Sequence, residues 1–259
     1  GVVWDKLEGN EQKKFKLKKV FKKLQVKPLK KTTINFLNWF SEYNMIPLGM
    51  ALKLHLLNGE AVEIFDEKKI LEFSIKKKFK KFDLSDEQEA AFKKISKNKE
   101  KFRVHLLQGT TGSGKTLVYF KSILQQIKDG YQTLILLPEI GLTFEFEKKF
   151  IEFFGFKPAI WHSIISKKSK KAIWSGLKNG NIKVVIGARS ALFLPFKNLS
   201  EIVVDEEHDQ SYKQDEGIIY NARDMAIARA KFENIPINLV SAVPSIETYK
   251  NVKDKKFTI

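Results

Sequence analysis

The sequence contains no cysteine. Disulfide bonds and thiolate metal sites are therefore excluded within these 259 residues, which fits a cytoplasmic location. The histidines His55, His105, His162 and His208 lie far apart and show no ligand spacing, so no zinc site is expected here. No apolar run approaches the roughly 18 residues of a membrane span, and no signal peptide is recognisable. We expect no membrane partner.

Arginine is also scarce, because only four of the 47 basic residues are arginines. The net charge of +17 favours a polyanionic partner such as DNA, although a lysine-rich profile also arises from genome-wide base composition. Residues 1–80 carry 18 basic and 9 acidic side chains, and residues 81–259 carry 29 and 21. The basic charge is therefore densest in the first third of the chain.

Residues 109–116 match the phosphate-binding pattern of glycine, four residues, glycine, lysine and a hydroxyl residue. The residues are Gly109, Thr110, Thr111, Gly112, Ser113, Gly114, Lys115 and Thr116. The pattern lies between an apolar strand and a helix, where backbone N–H groups and the helix N-terminus attract a polyphosphate. Lys115 is expected on the β- and γ-phosphates of ATP, and Thr116 on Mg²⁺.

Two further features support a nucleotide site. Asp205, Glu206, Glu207 and His208 follow an apolar run at residues 202–204, at the edge where a parallel sheet presents ligands. Asp205 is expected to hold the Mg²⁺ shell, and Glu206 to position or deprotonate the attacking water. The amide of Gln88, near a helix start, is able to pair with adenine and so select ATP over GTP.

Short apolar runs alternate with helical segments after residue 81, which is typical of an α/β fold with a parallel sheet covered on both faces. The predicted strands are residues 104–107, 133–137, 159–161, 182–186, 202–204 and 237–240. The predicted helices are residues 86–97, 116–128, 142–154, 168–179 and 223–233.

The first 80 residues have a different character. Residues 1–26 indicate the end of a β-rich unit, and Thr32 is expected to cap a helix that carries an aromatic stripe. A second helix at residues 50–57 and a short strand at residues 61–65 suit a winged helix or a helical spacer. Lysines at residues 76–81 indicate a linker.

Together these motifs resemble the superfamily 2 helicases and, within them, the bacterial PriA family of primosomal replication-restart helicases. The matching stretches are residues 109–116, 137–143, 161–163, 186–193, 205–208, 211–214, 220–224 and 241–248. The resemblance implies that residues 1–26 are a remnant of a 3′-end DNA-binding domain and residues 27–78 a winged-helix domain. Residues 79–259 would form the first RecA-like ATP-binding lobe.

The resemblance also implies an ATP-dependent helicase that moves 3′ to 5′, recognises stalled or branched replication forks and restarts replication by primosome assembly. Its cofactors would be ATP and Mg²⁺, and its partners branched and single-stranded DNA, primosome proteins and single-strand-binding proteins. The sequence begins with glycine and carries neither a second lobe nor the cysteine-rich zinc module of this family. We therefore expect a piece of a longer protein, with zinc only in the C-terminal part of the parent.

The segment at residues 209–223 is similar to the aromatic-rich loop that couples DNA binding to hydrolysis in this family. Tyr212 and Tyr220 are expected to stack on unpaired bases, and Lys213 and Arg223 to contact phosphates. Further contacts to the single strand are expected from Thr143, Arg189 and Ser190. Turn and capping roles are the alternative for those three residues.

Two positions depart from the family pattern. Val243 replaces a threonine that would link the nucleotide state to DNA, and Ile219 replaces an arginine. These changes favour weakened coupling between ATP and DNA. A DNA- and partner-binding fragment without motor activity, and another superfamily 2 DNA translocase, remain as alternative functions.

Overall fold

The computed structural model describes residues 28–56, 70, 73, 79, 83–97, 101–138 and 144–259. Six parallel strands form one sheet in the order β1-β8-β5-β2-β4-β3, and a two-stranded antiparallel ladder joins β6 to β7. The strands are β1 (Arg103–Gln108), β2 (Gln132–Leu136), β3 (Ala159–Trp161), β4 (Val184–Gly187), β5 (Leu199–Asp205), β6 (Lys213–Gln214), β7 (Tyr220–Asn221) and β8 (Pro236–Ser241).

Eight α-helices lie within the described residues. They are α1 (Lys31–Tyr43), α2 (Leu48–His55), α3 (Asp86–Ser96), α4 (Lys115–Lys128), α5 (Phe144–Phe154), α6 (Lys167–Asn179), α7 (Ala222–Glu233) and α8 (Ile246–Lys253). None of them is long and apolar enough to cross a membrane.

The strands of the large sheet are apolar along most of their length because both faces are covered. On one face, the Phe120 ring of α4 lies with its centroid 5.0 to 5.7 Å from those of Phe150, Phe153 and Phe154 in α5. Such pairs contribute about 0.5 to 1.5 kcal/mol each beyond the area that they bury. The predicted α/β lobe with a parallel sheet is confirmed, and each predicted strand and helix after residue 81 is present.

The other face of the sheet carries α1 together with α6 and α7 in one continuous core. Phe40 of α1 is fully buried and meets Phe193 and Tyr220 with ring centroids 5.0 and 5.6 Å apart. The Thr32 hydroxyl donates to Glu233 Oε2 of α7 at 3.1 Å. α1 begins at Lys31, so the expectation that Thr32 caps it was wrong, and the side chain instead joins α1 to α7.

The predicted β-rich remnant at residues 1–26 and the short strand at residues 61–65 lie outside the described residues. α1 and α2 are the two helices expected within residues 27–78, and the assignment of those residues to a winged-helix domain stays a prediction. At the other end of the chain, α8 was not predicted. After α8, Thr258 pairs in parallel with β1: its N–H donates to the Val104 carbonyl at 2.9 Å, and its carbonyl accepts from the Leu106 N–H at 2.7 Å.

Candidate nucleotide and nucleic-acid site

Residues 109–114 connect β1 to α4 and form the predicted phosphate loop. Gly112 and Gly114 have φ angles of 82° and 79°, a left-handed conformation that glycine adopts without a steric penalty. The Lys115 ammonium donates to the carbonyls of Gly109 at 2.7 Å and Thr110 at 3.0 Å. Lys115 therefore lies against the loop itself, at the start of the helix that presents its positive end to an anion.

Gln88 contacts this loop from α3. Its Nε2 donates to the Ser113 carbonyl at 2.9 Å, and its Oε1 accepts from the Ser85 N–H at 3.0 Å in a capping box. A Cβ added to Gly114 would overlap the same Nε2. Each amide atom keeps one further hydrogen-bonding position, because Nε2 has two protons and Oε1 has two lone pairs. The structure therefore places Gln88 beside the phosphate loop, and adenine recognition by it stays a proposal.

Asp205 ends β5, which is separated from β1 by β8 alone. Its Oδ2 accepts from the Tyr119 hydroxyl at 2.8 Å, and its Oδ1 accepts from the Glu206 N–H at 3.0 Å. Burial raises the pKa of Asp205. Burial, with the neighbouring Asp205 carboxylate, also raises the pKa of the Tyr119 hydroxyl well above its usual value, so the phenol keeps its proton and acts as the donor.

Glu206 has a φ angle of 47°, which is unusual for a residue with a side chain. A strained conformation of this kind costs about 1 to 3 kcal/mol and persists only where its surroundings fix it. Its side chain is 46% exposed, and its Oε2 lies 3.7 Å from Nδ1 of His208. The strained turn therefore presents an accessible carboxylate directly after the buried Asp205.

Glu207, in contrast, is 1% exposed. Its Oε1 accepts from the Ser245 N–H at 2.8 Å, and its Oε2 accepts from the Ser245 and Thr248 hydroxyls at 3.1 and 3.0 Å. Nη1 of Arg223 lies 3.2 Å from the same Oε2. Sequence reasoning gave Glu207 no role, and no local pattern joins it to partners 16 to 41 residues away.

Three residues expected to bind DNA are instead buried. Tyr212 is 1% exposed, and its hydroxyl lies 2.5 Å from the Asp205 carbonyl oxygen and 3.0 Å from that of Leu136. Tyr220 is 4% exposed in the aromatic core. Burial of both rings contradicts the predicted base stacking. The Arg223 side chain is 10% exposed and paired with carboxylates, which contradicts its predicted contact to phosphates.

Other predicted DNA contacts lie at the surface. Nη1 of the half-buried Arg189, which follows β4, donates to the Lys213 carbonyl at 2.7 Å. Ser190 is exposed and its hydroxyl accepts from the Trp161 indole at 3.1 Å. The Lys213 side chain is exposed and pairs with Asp215. The structure brings Arg189 and Lys213 together, whereas Thr143 lies outside the described residues.

The end of β8 also reaches the acidic residues. The Ser241 hydroxyl lies 2.8 Å from Nδ1 of His208, so the end of β8 contacts the residue that follows Glu207. Val243 is 70% exposed. Its methyl groups therefore occupy the surface at the position where the family pattern has a threonine.

Thr116 and Asp205 offer oxygen donors of the hard type that Mg²⁺ prefers. In the part of the chain that the structure describes, no three His, Cys, Asp or Glu side chains converge to form a complete metal site. Mg²⁺ is commonly held by one or two carboxylates together with phosphates of the substrate. The donor set therefore fits Mg²⁺ delivered with a nucleotide.

Residues 85–252 match the family model described as "DEAD/DEAH box helicase". The chain belongs to the DEAD/DEAH box helicase family. The match includes the phosphate loop, the acidic residues and the end of β8 with Ser241, so the geometry described above lies within the family's domain.

Curated relatives of this helicase chain carry the name "Replication restart protein PriA". The relative from Rickettsia conorii is 44% identical over 100% of this chain and 39% of its own length. That from Bacillus subtilis is 42% identical over 67% of this chain and 22% of its own length. The chain thus spans at most 39% of these relatives. The UvsW helicase structure from bacteriophage T4 has a TM-score of 0.48 at 16% identity, covering 75% of this chain and 66% of that one.

Proposed function

We propose that this chain is the first ATP-binding lobe of an ATP-dependent DNA helicase that moves 3′ to 5′ and restarts replication at stalled or branched forks. The observation that carries the proposal is that one sheet carries both the phosphate loop, after β1, and Glu206, an accessible carboxylate in a strained turn directly after β5. The names of the curated relatives support replication restart as the process. Primosome and single-strand-binding proteins are the proposed partners.

In this proposal, backbone N–H groups of residues 109–114 and the Lys115 ammonium bind the β- and γ-phosphates of ATP. Lys115 then exchanges the carbonyls of Gly109 and Thr110 for phosphate oxygens. Thr116 and Asp205 hold Mg²⁺, which neutralises charge on the phosphates when bound. Glu206 orients the attacking water and accepts its proton.

DNA contacts in this proposal come from Arg189, Ser190, Thr143 and Lys213, without base stacking by Tyr212 or Tyr220. Phosphate contacts position a protein on nucleic acid irrespective of sequence, which suits a motor that moves along the strand. Binding through them should weaken with salt in proportion to the phosphates neutralised.

The decisive variant is Lys115→Ala in the full-length protein. We expect ATP turnover to be abolished, because the ammonium proposed to bind the β- and γ-phosphates is removed, while binding to forked DNA is retained. Lys121→Ala is the matched control: Lys121 lies on the same helix and pairs with Glu89. It should turn over ATP at close to the normal rate. Steady-state hydrolysis and fork-binding titrations measure both outcomes.

Turnover by the Lys115→Ala variant at the normal rate would contradict the proposal. Loss of hydrolysis together with equal binding to DNA of every shape, weakening with salt in the same way on each, would favour a generic lysine interaction over fork recognition. The 259-residue chain alone should bind nucleotide weakly and hydrolyse little, because an arginine finger from a second lobe contributes roughly 10³ to 10⁵ in rate in comparable sites.

A further inference from the structure

Tyr119 lies on α4, three residues after Thr116 and therefore on the same side of the helix. Its side chain is fully buried, and its hydroxyl donates to Oδ2 of Asp205 at 2.8 Å. The helix that carries Thr116 therefore also supplies a hydrogen bond to Asp205, although the two residues assigned to Mg²⁺ are 89 residues apart in the sequence.

The direction of this hydrogen bond follows from the number of protons. A tyrosine hydroxyl has one proton, which it donates to the Asp205 carboxylate, because a carboxylate only accepts. The bond restricts rotation of the Asp205 carboxylate and leaves its other lone pairs for a cation.

We propose that Tyr119 is a positioning residue that sets the affinity of the site for Mg²⁺ by fixing the orientation of the Asp205 carboxylate. This inference rests on the proposed function, because it assumes that Asp205 holds Mg²⁺ with a nucleotide. Partners that orient metal ligands in this way typically contribute 10- to 100-fold to metal affinity or activity.

Tyr212 provides a matched control in the same region. It is 1% exposed, against 0% for Tyr119, and its hydroxyl also contacts Asp205. That contact is to the backbone carbonyl rather than the carboxylate, at 2.5 Å. Removing either hydroxyl therefore deletes a buried hydrogen bond to Asp205, but only the Tyr119 deletion reaches the carboxylate that is assigned to Mg²⁺.

The test compares Tyr119→Phe with Tyr212→Phe in the full-length protein. Binding of a fluorescent ADP analogue is followed as Mg²⁺ is added at constant ionic strength. Binding of the same analogue without metal is measured separately, in the presence of a chelator. We expect Tyr119→Phe to raise the Mg²⁺ concentration at half-saturation 10- to 100-fold. Tyr212→Phe should stay within about threefold of the unaltered protein, and metal-free nucleotide binding should be equal in all three.

An unshifted Mg²⁺ midpoint in Tyr119→Phe, or an equal shift in Tyr212→Phe, would overturn the inference. Absence of Mg²⁺-dependent binding in the unaltered protein would instead count against the proposed function. A second measurement needs no substitution and therefore applies even if Tyr119→Phe does not fold. In NMR spectra of the unaltered protein labelled at the tyrosine ring carbons, the Tyr119 resonance should shift when Mg²⁺ is added to the ADP complex. A Tyr119 resonance that does not move contradicts the inference.

Discussion

The phosphate loop and the acidic segment at residues 205–208 are held in place by different means. The loop is mostly exposed, and its shape depends on left-handed glycines and on one side chain from outside, that of Gln88. The acidic segment contains a residue with a side chain in the same left-handed region, Glu206. It depends on buried contacts made by its neighbours Asp205 and Glu207.

The difference shows two ways of preparing a site. In the loop, glycine removes the steric cost, so few contacts suffice. In the acidic segment, Glu206 has a side chain and keeps the steric cost of the left-handed conformation. Hydrogen bonds from α4, α7 and α8 to its neighbours keep the strained turn in place. We therefore expect the phosphate loop to be destabilised by substitutions that add side-chain atoms to its glycines. The acidic segment should be destabilised by substitutions that remove its hydrogen-bonding partners.

Glu207→Gln should have the largest effect on stability. The amide nitrogen would face either the Ser245 N–H or the Arg223, Ser245 and Thr248 side-chain donors in place of a carboxylate oxygen, and the Arg223 charge would lose its buried partner. Breaking a buried ion pair in this way costs about 3 kcal/mol in the free energy of unfolding. Urea denaturation followed by circular dichroism measures this change.

Glu247→Gln is the control for that prediction. This carboxylate lies 3.9 Å from the same guanidinium but is 72% exposed, so its loss should change the free energy of unfolding by less than about 0.5 kcal/mol. Equal losses in the free energy of unfolding for Glu207→Gln and Glu247→Gln would show that the buried contacts of Glu207 do not hold the acidic segment in place. The difference drawn above between the loop and the acidic segment would then be wrong.

Gly114→Ala should have an intermediate effect. A side chain at φ 79° costs about 1 to 2 kcal/mol, and the new Cβ would also displace the Gln88 amide from the loop. Gly112→Ala introduces the same strain at φ 82° with nothing within 4 Å of the new Cβ. Thermal melting and nucleotide titration of both variants separate backbone strain from displacement of the Gln88 amide. Both variants should lose stability through strain, and only Gly114→Ala should weaken nucleotide binding further.

Gln88→Glu should have the smallest effect. Glutamate preserves the capping box with Ser85 but loses the donor to the Ser113 carbonyl, a hydrogen bond that contributes about 0.5 to 1.5 kcal/mol. We expect a small loss of thermal stability in the free protein, weaker ATP binding and a smaller preference for ATP over GTP. A preference equal to that of the unaltered protein would remove Gln88 from base recognition.

Local patterns were sufficient for the elements and for the loop. The glycines, Lys115 and Thr116 form one continuous motif between a strand and a helix, and both flanking elements are present as predicted. The apolar runs likewise predicted the strands of the sheet. α8 was missed because its apolar residues do not form a stripe towards the core: Ile246 is 85% exposed and Tyr249 is 52% exposed.

The contacts that arrange the acidic segment could not be predicted in the same way. Tyr119 meets Asp205 only because α4 packs across β5, and Arg223 meets Glu207 only because α7 begins beside that turn. Tyr212 and Arg223 were assigned to DNA because aromatic and basic residues in a loop are typical of nucleic-acid binding. Their burial depends on pairings over 16 to 76 residues that no local pattern encodes.

The pairing of Thr258 with β1 has a consequence for solubility. A strand at the border of a sheet offers unpaired N–H and carbonyl groups to any passing extended chain, and natural proteins cover such borders. Here the Val104 carbonyl and the Leu106 N–H are covered by the chain itself. Shortening the chain by its last three residues would uncover them, and the strand that leads into the phosphate loop would become a template for aggregation.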